Sequence, residues 1–572
     1  MLSLLFACIA FIFHSHGMEY FSATSDLSRA VEVGEQLATE IGAYIELEEN
    51  RLNRLRKVAE RLSTQKLRPS PNTDPEEYYG NPVTAYLAVR QLTHNRRDEL
   101  LRLLEGYSDQ FEDSGDGSLA ADLHRLAAAR SRAEQRANML PGDADLSGAA
   151  DGLLLLQNTY KMQAENLANG IILGNLTGPT LSAAQCLHLG QRAYELADFV
   201  RAEEWFRAAY TRLRKEQEEE RSAQEGGRGK RSSGDEPSKP TVSSDVQPTS
   251  VQILDYLAYA LGRQRRYAEA LNITKILLEE DPLDSRNREN AEFYRTRIEM
   301  GEGIIGPAPK PTTLSKFEEE TQIYQALCRG EQVFPPPPVN SVYCHHTVPH
   351  PYYLIGPVKE EILFPDPKMV MWHDAIHPNE IRRIQELASP KFRRATVKNP
   401  VTGVLENAFY RTSKTAWLPD SMDEVTHRMN QRITALTGLN METAEDLQVS
   451  NYGIGGYYAP HFDFGRKREK DIFEKRNGNR IATIIFYMTE PKLGGSTAFN
   501  RLGAVVPPLR GSAGFWYNLM PSGEGDLRTR HVACPVLFGS KWVLNVWFHE
   551  RGQEFIRPCE LEQGPIEEDD GF

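Results

Sequence analysis

Between residues 27 and 62, charged residues interleave with an apolar stripe and no proline intervenes, which predicts one long helix. Ile41, Ile45, Glu48, Leu52, Leu55, Ala59 and Leu62 follow alternating steps of four and three, a heptad-like seam. Such a seam suits pairing with a second chain or packing within its own domain, and the pattern does not choose between them. After a Pro- and Asp-rich turn at 69–76, a second helical block runs to about residue 170.

Residues 180–300 follow another rhythm. Leu189, Gly190, Ala202, Phe206 and Ala209 alternate small and large in the manner of a tetratricopeptide repeat, and Leu257, Ala258, Ala270 and Pro282 repeat the pattern. Small residues there let two antiparallel helices approach closely. The tract between these repeats is too polar to hold another: from Lys215 to Ser250 only Ala223, Val242 and Val246 are hydrophobic. A disordered insertion over 215–250 is therefore expected. Residues 301–350 read as a proline-rich linker, with Pro335–Pro338 in extended conformation. Beyond it, 351–572 contains short β-rich runs such as Arg480–Met488, Gly514–Tyr517 and Trp542–Phe548, separated by Gly-Gly and Pro-Pro, which predict a two-sheet sandwich or jelly roll.

Length and charge narrow the class. At 572 residues the chain is too long for one core, and a net charge of -13 argues against neutralising a nucleic-acid backbone. The apolar run from Leu2 to Phe13 is too short to span a bilayer and reads as a signal peptide, with cleavage expected after Gly17. No later stretch is long and apolar enough for a membrane span. Removing Cys8 with the signal leaves Cys186, Cys328, Cys344, Cys534 and Cys559. In an oxidising compartment the locally spaced couples Cys328/Cys344 and Cys534/Cys559 are the natural disulfide candidates, with Cys186 a buried thiol; five free thiols is the bland alternative. Asn175 and Asn272 each open a glycosylation sequon.

One constellation carries chemistry. In Gly456–Phe464, His461 and Asp463 are two apart, so a strand would aim both at the same face. An imidazole and a carboxylate so placed can grip one metal, and a facial non-haem Fe(II) site needs one further nitrogen ligand, for which His531 is the best candidate. Ten residues later, Lys541 opens an apolar strand where a lone ammonium is costly unless it meets an anion. The far carboxylate of 2-oxoglutarate supplies one. Alone, His-x-Asp occurs by chance in many proteins; the order His, Asp, His, Lys within a β-rich domain makes the signal specific.

The segments Tyr410–Lys414, Asn451–Gly456, Pro460–Phe464, Phe515–Leu519, Ser522–Asp526 and Lys541–Glu554 resemble the collagen prolyl 4-hydroxylase alpha-subunit family over most of the chain. That resemblance implies a multidomain α plus β protein. A helical N-terminal association domain (18–175) and a tetratricopeptide-like peptide-binding domain (180–300) would precede a double-stranded β-helix dioxygenase domain (351–572). It also implies His461, Asp463 and His531 as iron ligands, Lys541 as the 2-oxoglutarate anchor, Tyr452 and Thr483 as further co-substrate contacts, and Tyr458 near the substrate ring. Lysine at 541, where the related lysyl hydroxylases place arginine, favours proline as substrate. Hydroxylation at C4 would consume dioxygen and 2-oxoglutarate, with ascorbate rescuing the iron after uncoupled turnover.

In the helical repeats the same resemblance marks Tyr194, Tyr256 and Tyr259 as a groove for proline-rich peptide, with Arg286 and Asn290 as backbone contacts. Its bland alternative is that these aromatics are repeat core. A tetramer with two protein disulfide isomerase beta subunits, procollagen-like substrates and residence in the endoplasmic reticulum lumen complete what it implies. Phe199-Val200 stands where the family carries two tyrosines, and Phe499-Asn-Arg501 replaces a more usual Phe-Pro-Glu. Cys344-His-His346 with His350 looks metal-like, but its setting favours a structural role, as does that of His549. Two rival functions remain: a non-catalytic chaperone of proline-rich chains, and a dioxygenase acting on another residue or secreted protein.

Overall fold

The computed structural model describes residues 24–64, 69, 73–93, 97–104, 117–226, 247–303, 314–398, 405–408, 410–466 and 477–562. The expected signal peptide lies outside them. The chain forms two compact units, residues 1–68 with 92–142, and residues 69–91 with 143–572.

In the first unit the proline-free run forms the helix Thr24–Thr64, accompanied by Arg97–Leu104 and Gly117–Ala137. Arg51 ties it internally, donating to Glu48 at 2.8 Å and to the Leu103 carbonyl at 2.7 Å. The heptad-like seam is not consumed there: Ile41, Ile45, Leu52 and Leu62 are exposed, and Val58, off the seam, is buried.

The second unit begins with helices. Asp143–Tyr160, Ala183–Glu195, Phe199–Gly226, Ser250–Arg263, Tyr267–Glu280 and Ser285–Glu299 pack around one core that includes Trp205, Phe206, Leu257 and Ala270. Serine and threonine caps open two of them, Ser182 with Gln185 and Thr249 with Gln252, each in a reciprocal capping box. Close approach is built into the sequence at Gly190, where a Cβ would lie 2.5 Å from the Phe206 ring. The indole Trp205 Nε1 donates to Gln157 at 2.8 Å, locking the first helix of this set to the third.

Three expectations are corrected by these helices and their sequel. The tract expected to be disordered from residue 215 continues the preceding helix to Gly226, because Lys, Glu, Gln and Arg are good helix formers and a helix polar all round needs no core; residues 227–246 lie outside the described ones. The expected linker at 301–350 contains the helix Lys316–Cys328, capped by Ser315 with Glu318 and burying Tyr324, Leu327 and Cys328. The cysteines pair differently too. Cys328 bonds Cys534, 206 residues away, while Cys344 and Cys559 are exposed free thiols and Cys186 is a buried one. Helix Lys316–Cys328 packs against Ala498 and Val532, which brings Cys328 to Cys534, whereas Cys344 and Cys559 stay in exposed segments. Nearness in sequence did not decide the partner.

Besides three two-stranded pairs, Ile171–Leu173 with Leu176–Thr177, Thr396–Lys398 with Leu405–Asn407 and Leu493–Gly494 with Val536–Phe538, the described residues form two larger antiparallel sheets. We number their strands β1 Cys344–Thr347, β2 Val358–Pro365, β3 Lys368–His373, β4 Arg393–Arg394, β5 Lys414–Leu418, β6 Leu447–Tyr452, β7 Tyr458–His461, β8 Arg480–Tyr487, β9 Thr497–Phe499, β10 Val505–Val506, β11 Ala513–Tyr517, β12 His531–Ala533 and β13 Lys541–His549. The larger sheet runs β1-β2-β3-β11-β8-β13-β6-β5-β4, and the smaller β7-β12-β9-β10. Helices Pro378–Ala388 and Glu424–Thr437 contribute Ile381, Ile384, Met429 and Ile433 to a core shared with Ile484, Leu544 and Val546 of the larger sheet. Interior strand β13 is buried at every position, in keeping with a sequence that is apolar except at Lys541, Asn545 and His549.

Candidate metal and co-substrate site

Strand β7 lies antiparallel to β12 with His461 directly opposite His531. Cross-strand register therefore delivers two imidazoles side by side, their ring centroids 4.4 Å apart. Asp463 follows in the bend just after β7, and its carboxylate lies 3.6 Å from His461 Nε2 and 3.7 Å from His531 Nε2. The strand expected to carry both His461 and Asp463 ends at the histidine, yet the acid still reaches the same point. One ligand atom from each of the three falls within 4.8 Å of the others, the one such histidine, cysteine or carboxylate group among the described residues.

Hydrogen bonds set the tautomers. His461 Nδ1–H donates to the Ala459 carbonyl at 2.8 Å and His531 Nδ1–H to the Thr529 carbonyl at 3.0 Å, leaving both Nε2 lone pairs aimed inward. Burial, and then neighbouring His461, push the His531 imidazole down to about 4, so it is uncharged at neutral pH. Burial opposes ionisation of Asp463, but His531 and His461 outweigh it and hold its carboxyl well below the usual range. Two imidazole nitrogens and one carboxylate oxygen, all converging, match the donor set of a facial divalent-iron site.

Behind the acid stands a relay of polar groups. Thr483, on β8, donates to Asp463 Oδ2 at 2.8 Å and accepts from Asn518 Nδ2 at 2.9 Å, while Trp516 Nε1 donates to Asn518 Oδ1 at 2.9 Å. Thr483, expected as a co-substrate contact, thus spends its hydroxyl on orienting the acid. Asn518 lies within the Phe515–Leu519 segment without standing out there as a site residue; the β8–β11 pairing brings it near.

Lys541 begins β13 opposite Tyr452 of β6. It is 1% exposed, and its Nζ has no hydrogen-bond partner among the described residues, lying 5.2 Å from the Tyr452 ring and 5.7 Å from the Tyr487 ring. Burial pushes its ammonium down to about 7. A buried cation without a partner is costly, and an anion entering from outside the protein would offset that cost. These residues fit a carboxylate-bearing co-substrate.

A cleft of about 740 Å³ opens over His461 and Asp463. Tyr458 stacks on His461 at 3.6 Å between centroids, and the Arg411 guanidinium lies 4.8 Å from the Tyr458 ring. Arg480 and Trp547, which sequence reasoning passed over, also line the cleft, with the guanidinium 4.1 Å from the indole. Glu445 pairs with Arg480 at 2.5 Å; burial alone would raise its carboxyl, but Arg480 and His549 together outweigh it and hold it at about 2. Both had a signal in principle: an arginine and a tryptophan on apolar strands.

The residues expected to meet peptide fall into two groups. Tyr194 lies 6.1 Å from Tyr256 and 5.7 Å from Tyr259, with Phe199 at 5.4 Å, so the helices do gather the aromatics. Tyr256 also stacks on the buried Phe206, which is partly the repeat-core alternative, whereas Tyr259 is 42% exposed. Arg286 pairs with Asp255 at 3.0 Å, and Asn290 is half-buried one turn further along the same helix. Tyr458 belongs to the metal cleft instead. Of the sequons, Asn175 is exposed in a turn, while Asn272 lies within a helix whose Thr274 is buried and bonded to the Ala270 carbonyl.

Comparison with known proteins adds the following. Residues 23–174 match the family model described as prolyl 4-hydroxylase alpha-subunit, N-terminal region, and residues 447–549 that of the 2OG-Fe(II) oxygenase superfamily. Prolyl 4-hydroxylase subunit alpha-2 of Caenorhabditis elegans is 40% identical over 95% of this chain and 94% of its own. Prolyl 4-hydroxylase subunit alpha-1 of Homo sapiens is 37% identical over 95% of this chain and 96% of its own. A solved viral collagen prolyl hydroxylase, in complex with 2OG, covers 32% of this chain and 94% of its own at 21% identity and a TM-score of 0.25, too loose a likeness to carry an argument.

Proposed function

We infer, from the membership of this chain in the prolyl 4-hydroxylase alpha-subunit family, that it hydroxylates peptidyl proline at C4 in collagen-like X-Pro-Gly sequences. It is an Fe(II)- and 2-oxoglutarate-dependent dioxygenase, with ascorbate as the accessory reductant. The single observation that carries this reading is the convergence of His461, Asp463 and His531 in a domain that also buries an unpartnered Lys541. Ferrous iron with 2-oxoglutarate supplies the oxidising chemistry when bound.

The chain's own residues do the rest. His461, Asp463 and His531 would hold the metal through three donors on one side, leaving its remaining positions for co-substrate and dioxygen. Thr483 and Asn518 fix the carboxylate's orientation, and the two carbonyls behind the imidazoles fix theirs. Lys541 would bind the far carboxylate of 2-oxoglutarate, with Tyr452 as its neighbour in the pocket wall. Tyr458, Arg480 and Trp547 shape the cleft above, where the proline ring would enter.

The finer organisation belongs to the same reading. The two sheets serve as a jelly-roll scaffold, and the helices between 183 and 299 as a tetratricopeptide-like domain whose Tyr194, Tyr256 and Tyr259 dock proline-rich chain, a preformed extended ligand that loses little entropy on binding. Arg286 and Asn290 would contact its backbone. The exposed seam on Thr24–Thr64 suits association of chains, two alpha with two protein disulfide isomerase beta subunits. No helix among the described residues is long and apolar enough to cross a membrane, and the leader at 1–17 directs the chain to the endoplasmic reticulum lumen. Asn175 is the better placed glycosylation site.

The test is succinate release from 2-oxoglutarate in the presence of a Pro-Pro-Gly repeat peptide, with mass spectrometry of the peptide. Release coupled to a gain of one oxygen on proline is expected. Peptide binding without succinate release would favour a chaperone, and oxygen on another residue a different dioxygenase.

A further inference from the structure

Lys541 carries its charge on a flexible four-carbon stem, so the position of Nζ depends on what packs against that stem and on where β13 begins. Both supports lead out of the catalytic domain. On one side, Gly495 lies against the stem: a Cβ there would sit 3.3 Å from Lys541 Cδ. Its amide donates to the Pro535 carbonyl at 3.3 Å, and that same carbonyl accepts the Tyr160 hydroxyl at 2.6 Å. Tyr160 ends the helix Asp143–Tyr160 and is buried. A Cβ on neighbouring Gly494 would meet Pro535 O at 2.4 Å and Tyr160 Oη at 2.5 Å, so the hydroxyl occupies space that only glycine leaves.

On the other side, Gly539 N donates to the Gly80 carbonyl at 2.9 Å, two residues before Lys541. A Cβ on Gly80 would lie 2.7 Å from Gly539 Cα, so the two backbones touch with no room for a side chain. A cavity of about 250 Å³ lies between these segments, lined by Pro75 and Glu76 on one wall and by Asn451, Gly453 and Ser540 on another. Gly80 and Tyr160 both fall within residues 23–174, the region matched by the N-terminal family model, and neither falls within 447–549.

We propose that the N-terminal helical region completes the co-substrate pocket, with Tyr160 and Gly80 as positioning residues that fix Lys541 from outside the catalytic domain. This rests on the reading of Lys541 as the 2-oxoglutarate anchor. The two supports act on different parts of the lysine: Tyr160 through Pro535 and Gly495 on its stem, Gly80 through Gly539 on the start of its strand. Tyr160→Phe removes one hydroxyl and leaves the ring in place, so the Pro535 carbonyl keeps the Gly495 amide but loses its shorter bond, and the Gly495 loop is held less firmly.

The experiment is calorimetric titration of 2-oxoglutarate into the full-length protein, purified with its beta subunit and loaded with Mn(II) under anaerobic conditions, so that binding is read without turnover. Tyr160→Phe is expected to weaken 2-oxoglutarate about tenfold through the loss of one buried hydrogen bond, and Gly80→Ala by about the same factor through the collision of its Cβ with Gly539. Affinity for Mn(II) and for a Pro-Pro-Gly peptide should stay as in the wild type. In a double-mutant cycle, Tyr160→Phe should add nothing to Lys541→Ala, because its effect passes through that lysine. A Tyr160→Phe protein that melts earlier but binds 2-oxoglutarate as the wild type does would overturn the proposal, as would an effect that persists undiminished on Lys541→Ala. Should Gly80→Ala fail to fold, Tyr160→Phe decides alone. Wild-type protein that bound no 2-oxoglutarate would instead sink the reading of Lys541 itself.

Discussion

The metal site and the aromatic groove are built on opposite terms. Around His461, Asp463 and His531 the side chains are held by strand register and by hydrogen bonds to each histidine's Nδ1 and to Asp463 Oδ2, leaving them little freedom. The groove of Tyr194, Tyr256 and Tyr259 rests on ring contacts between helices, with Tyr259 half in solvent. A redox centre tolerates little positional error, whereas a peptide dock gains from aromatic surface in several orientations. Single substitutions should therefore be far more damaging in the first region than in the second.

The largest effect is expected for His531→Ala, which removes a metal donor: succinate release should fall below detection while the helical domain still binds peptide, checked by activity assay and peptide titration. Lys541→Ala follows. Removing one partner of a buried charge pair costs on the order of 3 kcal/mol, so the KM for 2-oxoglutarate should rise about a hundredfold with iron affinity unchanged. Thr483→Ala, which breaks the relay behind Asp463, should lower activity by roughly 10- to 100-fold through weaker metal binding, measured by Fe(II) titration. Tyr259→Ala is the smallest, about fivefold in peptide affinity for roughly 1 kcal/mol of aromatic contact, with KM for 2-oxoglutarate untouched. A Tyr259 variant as crippled as His531→Ala would erase the contrast between the regions.

With Lys541 as the proposed anchor, co-substrate binding should also depend on pH. Burial depresses its ammonium to about 7 in the free protein, and only the protonated form attracts a dicarboxylate. As pH rises above about 7, binding must be accompanied by proton uptake, so the apparent KM for 2-oxoglutarate should climb with pH. Lys541→Arg, always charged, should flatten that rise if it still binds.

The family and its cofactors are legible in the sequence because they reside in short motifs whose spacing survives any rearrangement elsewhere. What those motifs do not contain is the register that sets His461 across from His531, or the β8–β11 pairing that brings Asn518 to Thr483. Local spacing fails most plainly for the cysteines: Cys328 meets Cys534 because an unforeseen helix crosses the smaller sheet, and no count of intervening residues encodes that. The helix Lys316–Cys328 is hidden in turn by the prolines on either side of it, which dominate the composition of 301–350. In the tract from 215, low hydrophobicity signals absence of a core, and a solvated helix shares that property with a disordered chain.

Spectroscopic titration under anaerobic conditions tests most directly whether three donors and one ammonium form a single site. Adding 2-oxoglutarate to the Fe(II)-loaded protein should produce a metal-to-ligand charge-transfer band that saturates at one equivalent per chain. The band should be absent in His531→Ala and should need far more 2-oxoglutarate in Lys541→Ala. An identical band at identical concentrations in all three proteins would contradict the assignment.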